Sequence, residues 1–180
     1  LLTSPVWRGQ LTAFSSGLVL GGLVSGTVAG AFGGFVSVVP EAVRTWALIP
    51  VAAVLLAFEL AGRPLALIQN RRLVPQEIIA RSRFEGPFQF GFEMGTGVRT
   101  FTPTALPHTL VLAVVLVGGL LPGVLAGLGF GLGRVLMPLT RSLSGDPSGW
   151  DRHLLGRLAW VGRWCAAGFL ATLTVLLLAW

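Results

Sequence analysis

Two long stretches of the chain carry no Asp, Glu, Lys or Arg: one between Arg8 and Glu41, the other, which holds His108, between Arg99 and Arg134. Each is longer than the roughly 20 residues that take a helix across a hydrocarbon core. The first is read as span 11–39; as one straight helix it would measure about 43 Å, so it must tilt, reach into the interface or break. A second span, 46–62, closes at Gly62 and leads into an Arg-rich connection, 63–86, polar enough to lie outside lipid. The second uncharged stretch divides at the run Gly118-Gly119-Leu120-Leu121-Pro122-Gly123, which predicts spans 101–118 and 120–138. The last span, 164–180, has Trp164 and Trp180 at its ends, where amphipathic rings sit among headgroups.

Two shorter pieces complete the chain. Residues 150–160 place Trp150, Leu154, Leu155 and Leu158 on an apolar stripe with Asp151, Arg152 and Arg157 available to water, the pattern of an interfacial helix. Residues 87–99 mix Phe and Met with Glu93 and several glycines, which fits a broken or re-entrant segment better than a plain lipid-facing helix. The expected fold is all-α, a single membrane domain of five spans with an interfacial helix. A four-span chain with one broken helix is the alternative.

Composition agrees with the pattern: 53% hydrophobic residues, 11% charged and a mean hydropathy of +0.80 leave no room for an ordinary soluble core. The thirteen basic residues are all Arg, and five spans collect twelve of them on one side, leaving Arg44 on the other. By the positive-inside rule the N-terminus is then cytoplasmic, in a membrane of the bacterial inner type. The arginines flank apolar segments and do not form one face with interleaved aromatics. Anionic lipid headgroups are therefore the expected partners and nucleic acid is not. Cys165 is the sole cysteine, which excludes a disulfide framework and an intramolecular thiol-disulfide relay. The chain begins at Leu1, consistent with processing, while the first apolar run is too long for a signal-peptide core and reads as a retained span.

Displaced by 97 positions, 22–44 overlays 119–141 and matches Gly22, Leu23, Gly26, Ala29, Gly30, Gly34, Val38 and Arg44. In the five-span topology one copy ascends and the other descends, the arrangement of an inverted-topology repeat, although a Gly/Ala/Leu/Val alphabet also yields such matches by composition. Gly22, Gly26, Gly30 and Gly34 recur every four residues and line one helical face, as do Gly119, Gly123, Gly127 and Gly131. Faces without side-chain bulk let backbones approach closely, so these eight are expected to pack helices, within this chain, in a homo-oligomer or against partner subunits.

Polarity inside the apolar chain concentrates in 88–108. Glu93 and Arg99 are placed to pair across a bend; Thr96 and Thr102 offer hydroxyls; Pro103 and Pro107 free carbonyls from helix bonding; His108 adds an imidazole. A discontinuous helix with such groups can hold an ion or a small solute. Glu93, Thr96, Arg99, Thr102 and His108 are therefore the expected solute path. Their structural reading is a boundary ion pair with locally bonded threonines. Glu59, four residues before Arg63, reads as an i,i+4 boundary pair, with a carboxylate on the substrate path as the alternative. No metalloprotease, phosphate-loop, dinucleotide or nucleophile-elbow motif occurs, and neither catalytic nor metal-ligating residues are assigned. The leading expectation is a small transporter or channel-like component. The competing one is a non-catalytic subunit of a larger membrane complex, lining a pigment, quinone or haem held mostly by another chain.

Overall fold

Helices account for almost all of what the computed structural model describes, residues 5–63, 74–75, 77–80, 82–98 and 104–178. They are α1 (Pro5–Val36), α2 (Glu41–Leu60), α3 (Glu77–Ala80), α4 (Glu85–Gly95), α5 (Leu106–Leu116), α6 (Leu120–Leu143) and α7 (Pro147–Leu178). Among the described residues α1, α2, α6 and α7 are long and apolar enough to cross a membrane. α4 and α5 have 11 residues each, about 16 Å, which is half of a core of ~30 Å.

The ends of the helices follow from local chemistry. α1 starts upstream of the expected 11 and stops at Val36 instead of 39, because Pro40 biases the residue before it away from helix. The chain turns there with Ser37 N–H on the Gly33 carbonyl and Val39 N–H on Val36, both at 3.0 Å. α2 begins at Glu41, whose acidic side chain suits the positive end of a helix. It closes in a Schellman motif: Gly62 has φ +69°, its N–H bonds the Glu59 carbonyl, and Arg63 N–H reaches Phe58, each at 3.0 Å.

The pieces expected as an interfacial helix, 150–160, and a separate span, 164–180, are continuous in α7, which runs 32 residues from Pro147. Residues 160–164 hold no proline, and the single Gly162 is carried within the helix, so the amphipathic stretch extends into the apolar one. Asp146 caps its start. Its Oδ1 accepts the Gly149 N–H at 3.0 Å and the Ser148 hydroxyl at 2.8 Å, and Pro147 fills the first position, where no N–H is needed. These donors, the Gly149 N–H foremost, hold the Asp146 carboxyl below its ordinary 3.8. A depressed folded-state value means the cap stabilises above that ordinary value and fades as pH falls through the depressed one. Asp146→Ala is thus expected to lower the thermal midpoint of the detergent-solubilised protein at neutral pH. The difference from wild type should shrink as the scan is repeated at pH well below 3.8; a gap independent of pH would assign the loss to something other than the cap.

α1 lies at the centre because it has two glycine faces. On one, Gly22 sits over Gly127 and Gly131, Gly26 over Gly123 and Gly127, and Gly30 over Gly119 and Leu120 of α6. The register falls on α6 as it rises on α1, so the two helices are antiparallel. A Cβ on Gly22 would stand 2.5 Å from the Gly127 carbonyl oxygen and one on Gly30 2.6 Å from that of Gly119, so only glycine admits this approach. Gly34 faces open space, one turn beyond the contact. About the mutual Gly26–Gly123 contact, Gly26 over Gly127 is answered by Gly123 over Gly30 and Gly22 over Gly127 by Gly30 over Gly119, whereas Gly22 over Gly131 has no counterpart because Gly34 meets nothing. The flanks of the two matched segments differ: α6 opens next to Gly119, whereas Gly22 is deep inside α1, and α1 ends where α6 continues to Leu143.

The second face, absent from the sequence reading, pairs Gly17 and Gly21 of α1 with Gly91 and Gly95 of α4. Phe14 and Leu18 carbonyls lie against Gly91 and Gly95 respectively, so α4 runs parallel to α1. Phe14 and Phe90 stack alongside, with centroids 6.0 Å apart. Further up, Gly33 meets Val114 and Val115 of α5. α4 and then α5 therefore lie in succession along α1, both pointing the same way. The segment expected at 87–99 as broken or re-entrant is helical to Gly95, and the expected span 101–118 is helical only from Leu106 among the described residues.

Large apolar side chains such as Phe32, Phe35, Trp46, Leu121, Leu125, Leu136, Trp160 and Trp164 face outward. On a water-soluble protein such a surface would be an aggregation hazard; around this bundle it is the surface that meets lipid.

Candidate functional site

The junction of α4 and α5 is where polar groups converge. α4 ends at Thr96 and Gly97; Gly97 adopts φ +73°, and Thr96 N–H closes the last turn on the Phe92 carbonyl at 3.0 Å. The orphan carbonyls of this terminus find hydroxyls. Thr96 Oγ1 donates to the Glu93 carbonyl at 2.7 Å, and Ser25 Oγ from α1 donates to the Thr96 carbonyl at 2.9 Å.

α5 is held at both ends by α2. The buried Glu59 Oε2 accepts the Ala105 N–H at 3.0 Å, at the amino end of α5. Arg44 Nη1 donates to the Leu116 carbonyl at 2.7 Å at the carboxyl end, while its Nε donates to Val39 at 2.9 Å. An acidic side chain at the amino end and a guanidinium at the carboxyl end match the helix dipole and satisfy groups that lipid would leave bare. The expected pairing of Glu59 with Arg63 is thereby corrected. Glu59 turns inward because an unbonded N–H at this depth costs more than a surface pair returns. Thr109, fully buried, adds a hydroxyl bond to the Ala105 carbonyl at 3.0 Å.

Between α1, α5 and α6 lies a cavity of about 420 Å³. α5 and α6 each rest on α1 and barely touch one another, so they splay from a floor of small residues, Gly22, Ser25, Gly26 and Ala29. Val111 and Val115 form one wall; Ala126 and Phe130 form the other; Thr96 and His108 occupy the end at the helix junction. Arg134 stacks its guanidinium over Phe130, 5.4 Å from the ring centroid, outside the lining. No Asp, Glu, Lys or Arg lines the cavity among the described residues.

Of the expected path, Thr96 and His108 are brought together here. Glu93 stands one turn back on α4, where its Oε1 accepts the Gln89 Nε2 hydrogen bond at 3.3 Å, and it does not line the cavity. Arg99 and Thr102 fall outside the described residues. Ser25 and Phe130 line the cavity without having been expected there, while Glu59 and Arg44 brace α5 and do not line it. Glu59 was legible as the one acid inside its span, but its partner lies 46 residues away.

Splayed helices with lipid-facing outer surfaces and hydrogen bonds closed internally define a membrane-embedded all-α helical protein. No protein family, curated protein or solved structure matches the chain.

Proposed function

We propose that the chain is a small membrane transporter whose solute site is the cavity at the junction of α4 and α5. The observation that carries this reading is a pocket of drug-like size placed where a polar half-helix meets an apolar one. α4, the break and α5 together act as one discontinuous span, making five with α1, α2, α6 and α7. The Arg8 end of the bundle is the cytoplasmic one, because the end of α2, the start of α4, the end of α6 and the start of α7 share it by the helix directions. Arg63, Arg83, Arg141 and Arg152 belong to those ends, and Arg44 to the opposite one. The two glycine-matched segments serve as an inverted pair about which the α5 half can move.

Gln89, Glu93 and Thr96 lead along α4 from the Arg8 end, so water reaches the cavity from that end, whereas Leu110, Leu112 and Val114 seal the other half. Thr96→Cys in a Cys165→Ser background is expected to react with a membrane-impermeant maleimide. The reaction should be at least about tenfold faster than for Val114→Cys in the same reconstituted vesicles, since thiol reactivity follows access and thiolate fraction. Equal, slow rates at both positions would mean a sealed void. The chain would then be a packing subunit of a larger complex.

A further inference from the structure

Resting on the reading of this cavity as the solute site, we infer that its ligand is an uncharged, lipid-soluble molecule bearing one hydrogen-bond-donating end, a long-chain or polycyclic alcohol in chemical class. Three observations converge on it. First, the lining holds no Asp, Glu, Lys or Arg among the described residues and His108 is its one ionisable side chain there, so a bare cation would give up its hydration without a counter-charge. Among the described residues there is likewise no group of three metal-ligating side chains.

Second, the hydroxyls at the polar end have already spent their hydrogens. Ser25 Oγ donates to the Thr96 carbonyl and Thr96 Oγ1 to the Glu93 carbonyl. A hydroxyl has one hydrogen and two lone pairs, so what these groups present is acceptor capacity, with a long 3.4 Å contact from the Val98 N–H on Thr96. The complement of an acceptor pair in an apolar cavity is a single O–H. A ligand offering only acceptors leaves them unmatched.

Third, the cavity is reached sideways. Val111 stands on its α5 wall and is 52% exposed on the surface that faces lipid. α5 and α6 are held apart by their separate seats on α1, so a molecule dissolved in the bilayer enters between them, tail in lipid and polar end at Ser25 and Thr96.

The test uses the full chain in phosphatidylcholine nanodiscs with a diazirine-bearing dodecanol as photoprobe and mass spectrometry to locate adducts. Adducts are expected on the α5 and α6 walls, around Val111 and Ala126. Dodecanol should displace them, and methyl dodecyl ether and dodecanoate should each be about tenfold weaker, the scale of one matched hydrogen bond in an apolar site. Ala126→Phe, which fills the cavity, should cut those adducts about tenfold while leaving labelling of the outward-facing Val175 unchanged. Val111→Trp is the second plug if size-exclusion chromatography shows Ala126→Phe to be misfolded. Displacement by the ether or by dodecanoate as effective as by dodecanol overturns the alcohol assignment and leaves the cavity as the site. Adducts spread equally over α7 and indifferent to both plugs overturn the assignment and the solute site together.

Discussion

Gly26→Leu is expected to abolish the folded bundle: the variant should elute as aggregate or lose its cooperative thermal transition, a cost above ~3 kcal/mol, beyond ordinary overpacking. The reason is what a side chain would meet. At Gly26 the neighbours are backbone, the Gly123 carbonyl and, 2.6 Å from the added carbon, the Gly127 Cα. Backbone has no rotamer to swing aside, so relief requires α1 and α6 to separate along their whole contact and opens the floor of the cavity. Gly34→Leu is the matched control. It lies on the same helical stripe and faces open space, so the change should be neutral or stabilising by up to ~1 kcal/mol through removal of glycine's backbone entropy. If both variants fold alike, close approach of α1 and α6 is not what holds the bundle.

The second large effect concerns α5. Glu59→Leu should destabilise by roughly 1–3 kcal/mol, the cost of a buried donor left without its acceptor. Glu59→Gln keeps a carbonyl oxygen in place and should retain most of the stability. Arg44→Leu strands the Leu116 carbonyl at the other end. Adding it to Glu59→Leu should free α5 at both termini, which predicts faster amide exchange over Leu106–Leu116 than either change causes singly. Thermal denaturation of the Glu59 pair and hydrogen-exchange mass spectrometry of the double variant measure these outcomes. A Gln variant as unstable as the Leu variant would show that charge, and not the acceptor to Ala105, is what α5 requires. The same manipulation bears on function, because α5 supplies a wall of the cavity and His108 at its end.

Some of this was readable from residues alone. Runs without charge marked the apolar helices, although their limits moved: α1 ends before Pro40 and α7 absorbs 150–160. Gly91 and Gly95 carry the same four-residue spacing as the stripe on 22–34, yet in a segment crowded with Phe, Glu93 and Met94 they read as helix breakers. Placed against Gly17 and Gly21 they are instead the reason α4 is a helix that fits where it does. The candidate site was half legible. Thr96 and His108 stood out as polar residues in an apolar stretch, whereas no motif or spacing sets Ser25 apart in its run.

Hydropathy and spacing are local properties, summed over neighbours in the chain, and they were enough to establish a helical protein that lives in lipid and joins its helices through glycine. Which glycines face which helix, and which polar atoms meet, depended on partners far apart in the chain. Ser25 bonds a carbonyl 71 residues away, and Arg44 one 72 away. In a medium without water every such donor and acceptor must be matched inside the protein. That matching turned Glu59 and Arg44 from apparent boundary charges into the two ends of a brace on α5, and among the described residues it left the cavity between α5 and α6 without an acidic or arginine side chain.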